Sequence, residues 1–191
     1  LPISMYFMIG IWGDKTVRTV SGFKNQIETR LYASIKFFVF TLFGSAFMLL
    51  GFLGLYYRGN KTFSIPELIE LGTSGAFTGT FATLVFAVLF LGFAVKVPMW
   101  PLHTWLPDAH TAAPTVGSVL LAAILLKLGS YGFVRIAIPI LPEQAKAWAP
   151  AIAILSAIGI IYGSLACLAQ TDLKRDRKST RLNSSHTVIS Y

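Results

Sequence analysis

Charge is unevenly distributed along this sequence: long apolar stretches carry none, and the charged residues bunch between them. No other feature restricts the possible folds so strongly. Only 13% of the 191 residues are Asp, Glu, Lys or Arg, and 54% are hydrophobic, whereas a soluble domain carries about a quarter charged residues. In lipid no water is present to satisfy backbone N–H and C=O groups, so each spanning segment must bond itself as a helix. The expected fold class is an all-α polytopic membrane protein.

The segments follow from this reading. Leu1 to Gly13 is apolar but too short to span, and reads as the second half of a helix. Asp14 to Arg30 is polar and basic. Tyr32 to Tyr57 is a full span, with Lys36 near one end, where a lysine can snorkel to the interface, and Tyr56 and Tyr57 at the other as an aromatic belt. Arg58 to Ser74 is a loop containing a short interfacial helix, "SIPELIELG": Ser64 is expected to cap it, Pro66 to occupy its first turn and Gly72 to end it. Glu67 and Glu70 share a face there, read as solvated in preference to a paired-carboxylate site. Ala76 to about Leu106 is an interrupted span, and Pro114 and Thr115 start another, Val116 to about Ile138. Pro139, Pro142 and Glu143 to Lys146 read as a short connection, and Trp148 to Ala169 as a final span before the polar Gln170 to Arg175. With the basic Lys15 to Arg30 loop in the cytoplasm, strict alternation puts Lys174 and Arg175 on the same side, as the positive-inside rule requires.

The net charge of +8 does not indicate nucleic acid, because part of the excess flanks the spans and no basic, aromatic-interleaved patch stands apart from them. The single cysteine, Cys167, gives neither a disulfide nor a metal cluster and reads as a small packing residue. The chain opens within an apolar run and without a basic leader, so no cleavable signal peptide is expected. No metal-ligand spacing, phosphate loop or nucleophile constellation is present.

Two lysines carry the chemistry. Lys127 sits about 11 residues from either end of its span, roughly 16 Å deep at 1.5 Å per residue, too far to snorkel out. Placing it there costs on the order of 2.5–3.5 kcal/mol. A buried amine subject to desolvation on one side and a nearby carboxylate on the other can be switched between charged and neutral forms, which a proton relay requires. Lys96 ends an apolar run and is followed by Pro98, Pro101 and Pro107. Pro98 cannot donate to the carbonyl of Ala94, nor Pro101 to that of Val97, and broken helices at membrane depth persist only inside protein or beside water. Lysine and prolines together read as a hydrated kink holding a proton-accepting amine. The competing reading of each lysine is a helix-helix tether, and of the prolines a packing kink. His103 is a possible relay, because imidazole titrates near neutrality, or else a structural histidine. Asp108 and His110 read as a polar helix end.

At "KVPMWPLHTWLPDAHTAAPTVGSVLLAAILLKLGSYGFVRI", Lys96 to Ile136, with "MYFMIGIWG" and "LAQTDLKR" on either side, the sequence resembles the proton-pumping antiporter-like membrane subunits of respiratory complex I, chain M in bacteria and chain 4 in mitochondria, the bacterial form being nearer. The resemblance runs from Leu1 to Arg175. It implies an antiporter-like helix bundle fragment with a proline-broken transmembrane helix, covering the fifth to ninth helices of the family. It matches Lys96 to the lysine of the broken seventh helix and Lys127 to the central lysine of the eighth. The family's glutamate partner on the fifth helix would precede Leu1, and its acidic outlet lies on a later helix, so the fragment alone is expected not to pump. The resemblance further implies no cofactor in this chain, other complex I membrane subunits and the lipid bilayer as partners, no nucleic acid, and a multi-pass location in the bacterial plasma (inner) membrane. Electron transfer from NADH to quinone would take place in other subunits.

Asp176 to Tyr191, "DRKSTRLNSSHTVISY", is polar and without periodicity, and reads as a non-native tail, so His186 receives no functional reading. The domain expectation is a partial antiporter-like transmembrane domain over 1–175 and this tail over 176–191. The competing functions are an Mrp-type cation/proton antiporter subunit and an inactive structural membrane fragment.

Overall fold

The computed structural model of the chain describes residues 2–13, 15, 17–18 and 27–168. The polar Gln170 to Arg175, the tail 176–191, much of the basic loop and the side chain of Cys167 lie outside the described residues. Within them the chain is a bundle of helices: α1 (Pro2–Trp12), α2 (Thr29–Arg58), α3 (Ile65–Thr73), α4 (Gly79–Lys96), α5 (Trp105–Ala112), α6 (Thr115–Ile140) and α7 (Pro142–Leu168). A two-residue antiparallel strand pair, Val17–Arg18 with Ile27–Glu28, closes the loop between α1 and α2. Helices α2, α4, α6 and α7 are long and apolar enough to cross a membrane, and α1 is apolar but shorter.

Helix α2 is the central post. A Cβ added at Gly92 of α4 would stand 2.8 Å from the Gly44 carbonyl oxygen and 3.0 Å from the Met48 backbone nitrogen. The two backbones therefore touch, which in lipid, where apolar side chains gain little by leaving the hydrocarbon, is how helices associate. One core lies toward the α1–α2 loop, where Met5, Ile9, Phe37, Trp105 and Leu121 close together. A second lies at the opposite end around Leu55, Leu68, Phe77, Phe86, Leu89 and Ile140.

The contacts at the two ends test the alternation of sides. Gly13, after α1, sits so close to α5 that a Cβ would be 2.7 Å from the Ala112 carbonyl oxygen, and a Cβ at Gly72 of α3 would collide with the Ile140 carbonyl. The α1–α2 loop and the α5–α6 turn thus share one end, and the α3 loop and the α6–α7 turn share the other, as the alternation requires.

Three local expectations are corrected. Ser64 stands at the N-cap of α3 with extended backbone, but its side chain makes no capping bond; Pro66 in the first turn already removes one donor that needs capping. Gly72 does not end that helix, which runs on to Thr73; its missing side chain admits the Ile140 backbone, and the left-handed turn falls to Gly75, φ +83°. The connection read at Pro139 to Lys146 shrinks to Leu141: Pro139 closes α6, and Pro142 starts α7, where a proline's absent N–H costs nothing. Glu67 and Glu70 are exposed, in keeping with a solvated face.

Candidate functional site

Helix α4 stops at Lys96, and eight residues of irregular backbone, 97–104, separate it from α5. The break stands where the proline spacing predicts it, and the Ala94 carbonyl that Pro98 leaves finds another donor. Pro98 cannot donate to Ala94, so the next amide takes over: Met99 N–H donates to the Ala94 carbonyl at 3.0 Å, five residues back. Val97 N–H donates to Phe93 at 2.8 Å, and the Trp105 indole Nε1–H donates to the Val95 carbonyl at 3.0 Å, wholly buried. Val97 and Met99 are 2% exposed and pack with Ala94 against Phe90, Phe133 and Leu155. On this side the kink is packed, with a widened turn and an aromatic donor satisfying the Ala94 and Val95 carbonyls. Pro98 is buried within it and Pro101 is exposed.

Lys96 is half-buried at this break and has no ion-pair partner among the described residues. Its helix end lies directly on α6: a Cβ at Gly129 would be 3.1 Å from Lys96 Cβ and 3.1 Å from the Val97 backbone nitrogen. Gly129 is two residues beyond Lys127, so the break and the second lysine are carried on touching elements. Their side chains meet different surroundings, however. Lys127 is exposed on the chain's surface, contrary to the buried amine expected at mid-span. The reason is geometric: apolar flanks in the sequence establish depth in the membrane, not which face of the helix meets the other helices of this chain. Two π-helical turns, Leu121–Leu125 and Phe133–Ala137, flank the Leu126–Gly132 segment that holds Lys127. Each bonds five residues back, Leu126 to Leu121 and Ile138 to Phe133. Such turns concentrate at functional sites, and nothing in the apolar sequence signals them.

His103 lies in the break itself, 9% exposed, with its ring edge-on to Tyr162 of α7 at 5.4 Å. Its Nδ1 is buried without a hydrogen-bond partner among the described residues, as is Ser156 Oγ, also on α7.

The sequence reading missed one pair. Lys36 of α2, expected to snorkel, instead donates to Asp108 Oδ2 of α5 at 2.7 Å, and Asp108 is an ion-pair acceptor rather than a plain helix end. The only signal available was a pair of opposite charges, one inside a span and one just past the broken one, 72 residues apart. His110 is buried at the foot of α5, with Ser118 Oγ–H near its carbonyl at 3.4 Å. Among the described residues no group of acidic, His or Cys side chains could hold a metal ion.

Four spanning helices, one broken beside a lysine with no ion-pair partner among the described residues and packed on a second lysine-bearing span, define a polytopic membrane protein of the antiporter-like helix-bundle class. The chain belongs to the family described as NADH:quinone oxidoreductase/Mrp antiporter, transmembrane, whose model matches residues 2–176. It is 44% identical over 182 residues to NADH-quinone oxidoreductase subunit M of Rhodobacter capsulatus, covering 91% of this chain and 33% of that protein. It is 43% identical over 173 residues to NADH-ubiquinone oxidoreductase chain 4 of Marchantia polymorpha, covering 91% and 32%. Among solved structures it is similar to a chain of respiratory complex I from Thermus thermophilus, with TM-score 0.79, 29% identity, and 97% of this chain and 36% of that one covered. An archaeal membrane-bound sulfane sulfur reductase shares the fold at TM-score 0.76 and 22% identity, with 98% and 35% covered. The chain spans about a third of the length of the curated relatives it matches.

Proposed function

We propose that this chain is part of a proton-translocating membrane-arm subunit of NADH-quinone oxidoreductase, corresponding to subunit M, and that Lys96 and Lys127 relay protons within it. The observation that carries the reading is the setting of Lys96: a half-buried amine with no ion-pair partner among the described residues, at a packed helix break, seated on the backbone of the Lys127 span. A half-buried amine changes protonation when a neighbouring carboxylate or water reaches it, because its charged form is then stabilised. His103, with an open ring nitrogen in the same break, serves as a further relay. Redox chemistry and its cofactors belong to other subunits, and the partners of this chain are the adjoining membrane subunits of the complex. The membrane is a bacterial plasma membrane, with the Lys15 to Arg30 loop cytoplasmic; the basic loop and the Rhodobacter relative support this. Residues 176–191 lie outside the functional domain, a reading supported by their polar composition and by a family match that ends at residue 176.

The test uses the full-length parent protein in its complex, reconstituted in liposomes, with NADH-driven acidification read by a pH dye. Lys96→Ala and Lys127→Ala are each expected to cut proton transfer roughly tenfold or more, a loss of about 1.4 kcal/mol or more in barrier terms, while Glu67→Ala on the exposed face of α3 leaves it unchanged. Full proton transfer in both lysine variants contradicts the relay. The family description also includes Mrp antiporters; sodium-driven proton flux without NADH in the same liposomes favours that reading instead.

A further inference from the structure

Helix α5 has only eight residues, Trp105–Ala112, and is cut off from α4 by the break. A helix so short does not hold its position by its own backbone bonds. Two side chains on one face, Trp105 and Asp108, three residues apart, meet two neighbours on α2. The Trp105 ring packs on Phe37 at 5.5 Å between centroids, and Asp108 Oδ2 accepts from Lys36 Nζ at 2.7 Å. Lys36 Nζ also lies 5.5 Å from the centre of the Tyr32 ring, one turn earlier on α2. The Trp105 indole separately ties α5 to the last turn of α4 through the Val95 carbonyl. Since α2 also touches α4 backbone to backbone at Gly92, it spans the break as a splint, packed on one half and ion-paired to the other.

We propose that the Lys36–Asp108 ion pair is a positioning clamp: it fixes the rotation of α5 about its Trp105 anchor, and through that the placement of the break that carries Lys96 and His103. Its consequence for proton transfer rests on the function proposed above; the clamp itself does not. Both partners are only partly covered by the described residues, 21% and 33% exposed, so the pair is not locked inside the packed core of this segment. A hydrophobic contact in its place would hold α5 as well but could not be released by a change of charge.

The experiment places spin labels at Val39→Cys on α2 and Thr111→Cys at the end of α5, in a cysteine-free background of the full-length protein reconstituted in lipid. With the clamp intact the distance distribution is expected to be single and narrow. Lys36→Met and Asp108→Asn are each expected to broaden it at least twofold. Lys36→Arg, and the exchange Lys36→Asp with Asp108→Lys, are expected to narrow it again. Unchanged widths in Met and Asn variants, or an exchange variant as broad as the single ones, overturns the clamp. Proton transfer measured on the same samples separates the two readings: distances that follow the clamp while Lys96→Ala leaves proton transfer intact uphold the clamp and remove the relay.

Discussion

At the scale of single residues, the break owes its shape to one donor. Trp105 is fully buried, and its indole N–H satisfies the Val95 carbonyl in the turn that leads into Lys96. Trp105→Phe keeps most of the ring against Phe37 but leaves that carbonyl without its donor, at a cost of about 1–3 kcal/mol. The expected outcome is a lower thermal unfolding midpoint for the purified full-length protein, with the Phe variant still folded; a midpoint equal to that of the parent contradicts the role. Legibility at this scale was uneven for a physical reason. Pro98 announces the break because it lacks an N–H whatever its surroundings, and an uninterrupted apolar run announces the depth of Lys127. The rescue of Ala94 by Met99, the indole bond and the Lys36–Asp108 pair are contacts made after folding, between residues up to 72 apart, and single-chain spacing carries no trace of them.

At the scale of elements, spans are legible and their junctions are not. Hydropathy places α2 and α6, the start of α4 and the far end of α7 to within three residues, because lipid acts on every residue of a span alike, but it starts α7 six residues late. Helix ends depend on one or two neighbours: Gly72 looks like a stop signal, yet it is the point where α3 lies on the last turn of α6. Gly72→Ala puts a methyl against the Ile140 carbonyl, which belongs to the backbone and cannot swing aside. Overpacking of that kind costs about 1–3 kcal/mol, whereas Glu67→Ala or Glu70→Ala on the exposed face of the same helix should stay within about 0.5 kcal/mol. Thermal unfolding of the three variants checks the order: a Gly72→Ala protein as stable as the glutamate variants means that α3 does not dock there. The π turns of α6 are the other junction-like feature, and they set the rotation of the segment carrying Lys127 between two ordinary helical stretches.

At the scale of the whole molecule, the face of α6 that carries Lys127 is open. Ile124, Leu128 and Tyr131 are 41%, 48% and 58% exposed beside it, and the lysine is 12 positions beyond Thr115 in a span that ends at Ile140. Were that face turned to hydrocarbon, the lysine would cost on the order of 2.5–3.5 kcal/mol on insertion scales. A face of two alkyl groups, a phenol and one amine is suited to a protein neighbour that supplies a carboxylate or a water-lined path, and the relatives are about three times as long as the matched segment. In the full-length protein, therefore, this face is expected to be covered by protein, with Lys127 inside the bundle although it lies outside this part of it. A lipid-soluble diazirine probe, photolysed in the reconstituted protein and read by peptide mass spectrometry, should leave 124–131 unlabelled. Labelling of Leu128 and Tyr131 would put the face in lipid, where an amine has no route to hand its proton on, and the relay would then have to run through Lys96 and His103 alone.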